Sequence, residues 1–492
     1  MIVLGLVLLP VLLANLPKEE VGIWLLLGQS WAVLGVLDLG FGVTLTRRIA
    51  LAKGKSGGNP DVLLNEVSVA EIADLVATSS RIYRYMSAGV FLVAWSLGFF
   101  YLHHLELSSI SSTTVWTAWT ILCACQALTV WATPWSALLQ GVGHVGWDAI
   151  LATIINALTL VVQIVSVIQG GGVVTLASIA TVGVVAQRVV IRGFTSRRNP
   201  ELFALKGKWN PGVLLGMPSL ALRAWISTLG GVMVMNTDGF FIAAAEGAGN
   251  IPAYRAAFIV VLNVHVLAGV FAQSSSVFMS QLWQAGQREE VRRIFERNSR
   301  IGLCLILCGG AAIIFSGKSL FDVWLGPGNY VGPLIVGLFV LLFVLEQQSL
   351  IISTSCRATD CEPFAGWMMA GGLLKLALAV PLMKWLGLVG LTVATLVAQL
   401  STAHWFVMKR GLQRLEFPFS TYISRVLVPC LIVFVVACVL TKLSVVATSN
   451  QEGWLQLVVA STASGAVLIV AWWLLVLQPH HRHRILARYM HS

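Results

Sequence analysis

Long, nearly uninterrupted runs of apolar residues dominate the chain, and short polar segments separate them. A helix needs about 20 apolar residues to cross a bilayer, whereas a barrel strand alternates apolar and polar positions. The runs here are continuous, so we predict an all-α integral membrane protein with about 14 transmembrane helices. These helices are predicted at 1–15, 21–45, 86–102, 114–139, 150–168, 173–190, 213–235, 251–279, 301–315, 331–353, 363–382, 388–408, 426–440 and 454–477.

The chain contains a weak internal repeat. A stretch LLQGVGHVGWDAIL, an apolar helix, a glycine-rich turn and a helix ending VAQ recur as TSCRATDCEPFAGW, a helix, KWLGLVG and a helix again ending VAQ. Parallel halves of this kind are common in transporters. We therefore predict two six-helix bundles in a pseudo-twofold parallel repeat plus two C-terminal helices. The predicted segments are a first bundle at 1–195, a cytoplasmic linker at 196–212, a second bundle at 213–412, two further helices at 413–478 and a basic tail at 479–492.

The longest polar segment, 46–85, ends in the mixed apolar and charged run NEVSVAEIADLVATSSRIYRYM. Such a run predicts an amphipathic connector helix on the inner membrane surface. The external segments are short, which leaves no room for a soluble catalytic domain. We predict that the protein is not an enzyme and has no catalytic residues.

Composition supports the membrane assignment and gives an orientation. Only 11% of the residues are charged, against about 25% in soluble domains. The net charge of +11 does not indicate nucleic acid, because cationic residues of membrane proteins gather in cytoplasmic loops. With the N-terminus inside, 25 of the 32 Lys and Arg residues fall on the cytoplasmic side. We predict that both termini lie in the cytoplasm. The cysteine spacing indicates neither a disulfide framework nor a zinc site, and we predict no metal and no cofactor.

Several ordered motifs resemble one transporter group. They are GIWLLLGQSWAVLGVLDLGFGVTLTRRIA, TDGFFIAAAEGAGNIPAYRAA, VWLG and LGLVGLTVAT. The chain resembles, over nearly its whole length, the polysaccharide (lipid-linked oligosaccharide, O-antigen type) flippases of the multidrug/oligosaccharidyl-lipid/polysaccharide exporter (MOP) superfamily. The resemblance implies two bundles in a V, alternating access, and movement of a polyprenyl-diphosphate-linked oligosaccharide across the bacterial inner membrane for surface polysaccharide such as lipopolysaccharide. It also implies membrane lipid as a partner and a polysaccharide polymerase or chain-length protein as a candidate partner. In relatives the first helix contributes arginines, but here no charge precedes Lys18.

A diphosphate that crosses a bilayer needs fixed positive charge along its path, and guanidinium matches phosphate oxygens. Arg223 is the leading candidate, since ten residues at 1.5 Å each from the start of its span place it about 15 Å deep. The alternative is a structural pair with a carboxylate. On the next span, Arg255, Asn263 and Gln273 lie within an ~80° sector, with His265 on the other flank. This polar stripe predicts substrate binding, and helix association is the alternative.

Three carboxylates are candidates for ion coupling. Glu346 and Lys375 fall in consecutive spans, so two interpretations are open. They form a buried ion pair, or Lys375 contributes to the cationic substrate cavity while Glu346 carries a proton across. Asp38 and Asp238 are further coupling-ion candidates.

The 18 tryptophans divide by depth. Trp24 lies near a predicted interface, where aromatic belts account for such residues. Trp31 lies deeper, where its aromatic face either packs in the protein or contacts a sugar ring.

Three functions therefore compete. The leading one is an ion-gradient-coupled flippase of lipid-linked oligosaccharide. A cation-coupled multidrug exporter of the same superfamily would favour an acidic cavity, whereas the three intramembrane cations favour an anionic head group. A membrane polysaccharide polymerase or glycosyltransferase would need a larger external loop.

Overall fold

The computed structural model describes residues 2–35, 38, 41–56, 64–105, 107, 110–204, 207–210, 217–284, 286–359 and 363–476. In this part of the chain the regular structure is entirely helical, as predicted. The helices are α1 (Ile2–Asn15), α2 (Lys18–Gly35), α3 (Phe41–Gly54), α4 (Glu66–Leu102), α5 (Ser112–Trp131), α6 (Thr133–Gly141), α7 (Val145–Ile168), α8 (Val173–Arg198), α9 (Glu201–Ala204), α10 (Met217–Met235), α11 (Asp238–Glu246), α12 (Ile251–Gln284), α13 (Arg288–Leu325), α14 (Pro333–Arg357), α15 (Ala365–Leu386), α16 (Leu388–Ser401), α17 (Ala403–Arg414), α18 (Phe419–Tyr422), α19 (Val428–Ala447) and α20 (Gly453–Leu475).

Twelve helical stretches among the described residues are long and apolar enough to cross a membrane. They correspond to the third through fourteenth predicted spans, so the chain is a multi-pass membrane protein. The first predicted span is a shorter apolar helix, Gly5–Asn15. The second predicted span, 21–45, covers most of α2, which begins with three charged residues, and the start of α3; residues 36, 37, 39 and 40 between these helices lie outside the described part of the chain.

The predicted amphipathic connector does not form a separate helix. It is continuous with the third span in α4, whose 37 residues make about 55 Å of helix. Asn65 caps its start, since its side chain accepts a hydrogen bond from the backbone N–H of Ser68 at 2.7 Å. The 38-residue helix α13 likewise joins a charged first part to an apolar span. A hydrocarbon core about 30 Å thick holds only part of either helix.

The chain divides into two compact units, Met1–Pro252 and Ala253–Ser492. Helix α10, which the sequence assigned to the second bundle, packs against α2 and α3 in the first unit. The tail at 479–492 and parts of the linker at 196–212 lie outside the described residues. The two-bundle division with its exact limits stays a prediction.

In the first unit, α3, α4 and α6 enclose an apolar cluster that includes Ile49, Ile72 and Leu138. Helix α8 packs along α5 and α7. The short turn between α7 and α8 contains Gly170, whose φ of 90° explains the need for glycine there. These contacts bring the inner faces of α2, α5, α7 and α8 together.

In the second unit, α13 is the central helix and packs against α14, α19 and α20. Buried Cys308 and Ala311 of α13 meet Ala437 of α19 and Val467 of α20. The hydroxyl of Ser464 donates to the backbone oxygen of Cys308 at 2.6 Å. The two C-terminal helices therefore pack directly on the core of this unit.

Candidate functional site

The predicted polar stripe lies along α12 of the second unit. Arg255 is half-buried, and its guanidinium lies 4.5 Å from the centre of the Phe258 ring. Asn263 is also half-buried, whereas Gln273 near the other end of the helix is exposed. A guanidinium over an aromatic face keeps its charge while resting on an apolar surface. All four residues of the stripe, including His265, thus lie on the single helix α12. Their contacts with a substrate stay a prediction.

His265 lies at a polar spot inside the second unit. Its ring centre is 5.3 Å from that of Phe343, and its side chain interacts with that of Gln347 on α14. Gln347 is fully buried. Within the described residues neither His265 Nδ1 nor the Gln347 amide makes a hydrogen bond of normal geometry.

Glu346 and Lys375 are not joined by any salt bridge between described residues. The carboxylate of Glu346 accepts a hydrogen bond from Nε2 of Gln399 on α16. Lys375 on α15 is completely buried and has contacts of its own. Between these two described residues the ion-pair interpretation is therefore not supported; α14 packs mainly against α13, α16 and α17, while the main neighbour of α15 is α16.

The two acidic candidates of the first unit lie at helix N-termini. Asp38 precedes α3, and its Oδ2 accepts a hydrogen bond from the backbone N–H of Gly42 at 3.1 Å. Asp238 is the first residue of α11 and is 5% exposed. Negative charge at a helix N-terminus is stabilised by the exposed amide groups there. Both acids therefore have a structural role, and coupling remains a prediction for them.

Arg223 lies on α10, but its side chain is outside the part of the chain that the structure describes. Its position as the seventh residue of the 19-residue helix follows from the backbone alone. Its role stays a prediction.

A further charged cluster in the first unit was not predicted. Asp148 is 9% exposed and accepts hydrogen bonds from Ser136 Oγ at 3.0 Å and from Gln140 Nε2 at 2.7 Å. The charge of Arg188 on α8 interacts favourably with this carboxylate. The sequence placed Asp148 outside a span and Arg188 at a membrane edge. One signal in the sequence was the four-residue spacing of Ser136 and Gln140, which puts both hydrogen-bond donors to Asp148 on one face of α6.

A cavity of about 330 Å³ lies inside the first unit between α2, α5, α7 and α8. Trp24 and Trp31 of α2 line one side, and Asn156 and Gln163 of α7 line another. The sequence analysis placed Trp24 near the interface and Trp31 deeper in the membrane. In the structure both line the same cavity. No charged residue is among those that line it.

A larger cavity of about 500 Å³ lies in the second unit where α17 meets the start of α18. Trp405, Lys409 and Phe419 are among its lining residues. Among the described residues, no cluster of three or more His, Cys, Asp or Glu residues is arranged to hold a metal ion.

No family model matches the sequence, and no curated protein matches it either. Solved structures do match. One is a multidrug resistance transporter of the MATE family of the MOP superfamily in an inward-facing conformation, with a TM-score of 0.70, 13% identity and alignment over 85% of this chain and 95% of that one. Another is the lipid II flippase MurJ in an inward closed conformation, with a TM-score of 0.66, 13% identity and coverage of 96% and 95%.

A third match is a MOP superfamily transporter from Pyrococcus furiosus, described as having a binding pocket of reversed polarity. Its TM-score is 0.57 at 13% identity, and the alignment covers 84% of this chain and 92% of that one. At such low identity these likenesses speak for the fold. The resemblance noted in the sequence is confirmed at that level: this multi-pass membrane protein has the fold of MOP superfamily transporters.

Proposed function

We propose that the protein is an alternating-access flippase. Its cargo would be a polyprenyl-diphosphate-linked oligosaccharide, moved from the cytoplasmic to the outer leaflet of the bacterial inner membrane for assembly of surface polysaccharide of the O-antigen type. The observation that carries the proposal is the fraction of this chain that aligns with each type of MOP structure. The lipid II flippase aligns over 96% of it, whereas the MATE transporters align over about 85%.

The additional length is about that of two helices, and we assign it to α19 and α20. Both helices pack on α13 and also present long apolar faces away from it, with residues such as Leu431, Val435 and Ile469 exposed. A cargo with a polyprenyl tail needs an apolar surface beside its path, which these helices offer.

The cationic candidates fit the charge of this cargo. We assign Arg223 and Arg255 to the diphosphate, with Asn263, His265 and Gln273 as hydrogen-bonding residues along the stripe of α12. Lys375 is buried in this structure, so it would join them only after α15 and α16 separate around it. A charge near the centre of a bilayer costs about 3 kcal/mol or more, which favours a functional role for Arg223 and Lys375.

Coupling to an ion gradient is assigned first to Glu346. Its carboxylate has one hydrogen-bond partner among the described residues, the amide of Gln399. A carboxylate that can lose and regain a proton without disrupting an ion pair is suited to carry it. Asp38 and Asp238 remain second candidates, because both also stabilise a helix start.

The competing function is a cation-coupled multidrug exporter. It is favoured by the TM-score of 0.70 to the inward-facing MATE transporter, the higher of the two values quoted for MATE and MurJ. The two proposals differ in cargo charge, since a cationic drug would be repelled by Arg223 and Arg255.

The test is reconstitution into liposomes with a fluorescent polyprenyl-diphosphate glycan in one leaflet. Wild-type protein is expected to equilibrate the label between leaflets, and Arg223→Ala should slow it about tenfold or more, as loss of a charge-assisted contact predicts. Arg293→Ala is the matched control, because this exposed α13 arginine pairs with Glu290 at the surface. Wild-type vesicles that retain the label in its original leaflet would overturn the proposal. Export of cationic dyes instead would support the multidrug function.

A further inference from the structure

The cavity of the first unit has an aromatic side built from one face of α2. Trp24 and Trp31 are seven residues apart, so they lie on the same helix face with about 10.5 Å between them along the axis. Gly28 lies between them on that face and is exposed. A Cβ at Gly28 would meet no heavy atom within 4 Å. The missing side chain therefore leaves an open slot between the two indoles.

The side formed by α7 carries neutral hydrogen-bonding groups. Asn156, Thr159 and Gln163 follow at helical spacing, and Asn156 is exposed. Gln163 is 4% exposed, and its Nε2 donates to the backbone oxygen of Leu176 at 3.2 Å. No hydrogen bond among the described residues uses its Oε1. The buried amide of Gln163 is thus held in place through its Nε2, and its Oε1 can accept a hydrogen bond.

Helix α8 packs closely against this side of the cavity. Gly183 lies against Thr159, and a Cβ at Gly183 would come within 2.3 Å of Thr159 Oγ1. Thr159 Oγ1 donates to the backbone oxygen of Ile155 at 2.9 Å, which leaves its lone pairs for an incoming donor. The polar side therefore offers an amide donor and acceptor from Asn156 together with two further acceptors.

The charge of the lining residues selects the ligand class. None of them is acidic or basic, so neither a diphosphate nor an organic cation would find a counter-charge there. A pyranose ring has apolar C–H faces that pack on indole and a rim of hydroxyl groups that bond to amides and hydroxyls. A volume of about 330 Å³ is at the lower end of ligand pockets, which hold about 300–1,000 Å³.

We propose that this cavity is a carbohydrate subsite that binds one or two sugar rings of the cargo, with a ring placed in the slot at Gly28 between Trp24 and Trp31. The inference rests on the proposed function and assigns the sugar part of the cargo to the first unit. The diphosphate binds elsewhere, at the cationic residues.

The test compares two probes on detergent-purified protein: polyprenyl diphosphate that carries a short neutral oligosaccharide of hexose and N-acetylhexosamine, and the same carrier without sugar. Wild-type protein is expected to bind the first probe more tightly. Gly28→Leu fills the slot and Trp31→Ala removes one aromatic face, so each should weaken binding of the glycan probe about five- to tenfold. Binding of the sugar-free carrier should not change.

Two controls separate a binding defect from a folding defect. Gly89→Leu adds the same side chain on α4 at another open position, so it should change neither probe's affinity. Trp31→Phe should restore most of the affinity lost in Trp31→Ala. Melting temperatures of all variants are expected to lie near that of the wild type.

The outcomes distinguish this inference from the proposed function. Wild-type protein that flips the glycan probe while Gly28→Leu and Trp31→Ala bind and flip it normally would overturn the subsite alone. Failure of the wild type to bind either carrier would overturn the proposed function. If Gly28→Leu lowers only the amount of co-purified phospholipid, the cavity holds an acyl chain and the carbohydrate subsite is wrong.

Discussion

Asp148 shows how a single carboxylate is made tolerable inside a membrane protein. It receives hydrogen bonds from Ser136 and Gln140, and the positive charge of Arg188 lies nearby. Each contact offsets part of the cost of removing the carboxylate from water. The cluster links α6, α7 and α8 of the first unit, so its effect should be on stability.

Replacing Asp148 by Leu should lower the stability of the first unit by about 1–3 kcal/mol or more, because two donors and the charge of Arg188 lose their partner. The measurement is the melting temperature in detergent. The double variant Asp148→Leu with Arg188→Leu should recover part of the loss, since it removes the uncompensated cation. Additive losses in the double variant would show that the two residues do not interact.

Glu346→Gln keeps the size of the side chain and removes its titratable proton. If Glu346 carries the coupling proton, the variant should flip cargo at the same rate with and without an imposed pH gradient, whereas the wild type should be accelerated by the gradient. Liposome assays with an inside-acid and a symmetric buffer measure the difference. Glu452→Gln, at an exposed acid before α20, should behave as the wild type. An unchanged gradient response in Glu346→Gln would exclude this role.

At the residue scale, the sequence identified charges but not their partners. The depth of Glu346 and Lys375 follows from counting along a helix, but the choice of Gln399 as the partner of Glu346 depends on which helices pack together. Trp24 was assigned to the interface from its depth alone. Counting residues along a helix gives the depth of a side chain but does not show which other helix it faces. Tertiary neighbours supply the missing information in both cases.

Helix α2 shows how one element uses glycine in two ways. At Gly22 a Cβ would lie 1.8 Å from the backbone oxygen of Ala248, which belongs to the short 3₁₀ turn Ala248–Asn250. At Gly28 it would meet nothing within 4 Å. The first glycine allows two backbones to approach, and the second leaves open space.

The two positions should therefore respond oppositely to alanine. Gly22→Ala should destabilise the protein by about 1–3 kcal/mol, because a backbone oxygen cannot move aside as a flexible side chain can. Gly28→Ala should be neutral or stabilise it by up to about 1 kcal/mol through helix propensity. Melting temperatures of the two variants, prepared side by side, measure this. Equal losses at both positions would contradict the assigned packing.

At the element scale, the spans from the third onward were predictable because apolar length alone defines them. The second predicted span, 21–45, is less well tested, because residues 36, 37, 39 and 40 between α2 and α3 lie outside the described part of the chain. The merging of the amphipathic connector run, 65–86, into α4 was missed. A change from an amphipathic to an apolar pattern was taken as a boundary, although helical geometry tolerates it without a break.

At the scale of the whole molecule, the distribution of Lys and Arg gives a prediction of orientation. With both termini inside, 25 of the 32 cationic residues lie on the cytoplasmic side. Charge asymmetry of this kind sets the orientation of multi-pass proteins. The even number of predicted spans is consistent with termini on one side.

A C-terminal fusion to green fluorescent protein should therefore fluoresce in cells, and a fusion to alkaline phosphatase at the same position should be inactive, since that enzyme matures only outside the cytoplasm. Phosphatase fused after Lys442, in the predicted external segment between α19 and α20, serves as the positive control. An active C-terminal phosphatase would reverse the orientation and, with it, the predicted direction of transport.

Helices α4 and α13 run without a break from a charged first part through an apolar span. A continuous hydrogen-bonded rod of about 55 Å resists bending far better than two helices joined by a loop. Each of these helices therefore moves as one rigid element, and a small tilt at its charged end produces a larger displacement at the opposite end. A protein or antibody that clamps the charged end would hold the membrane part still without touching the cargo path.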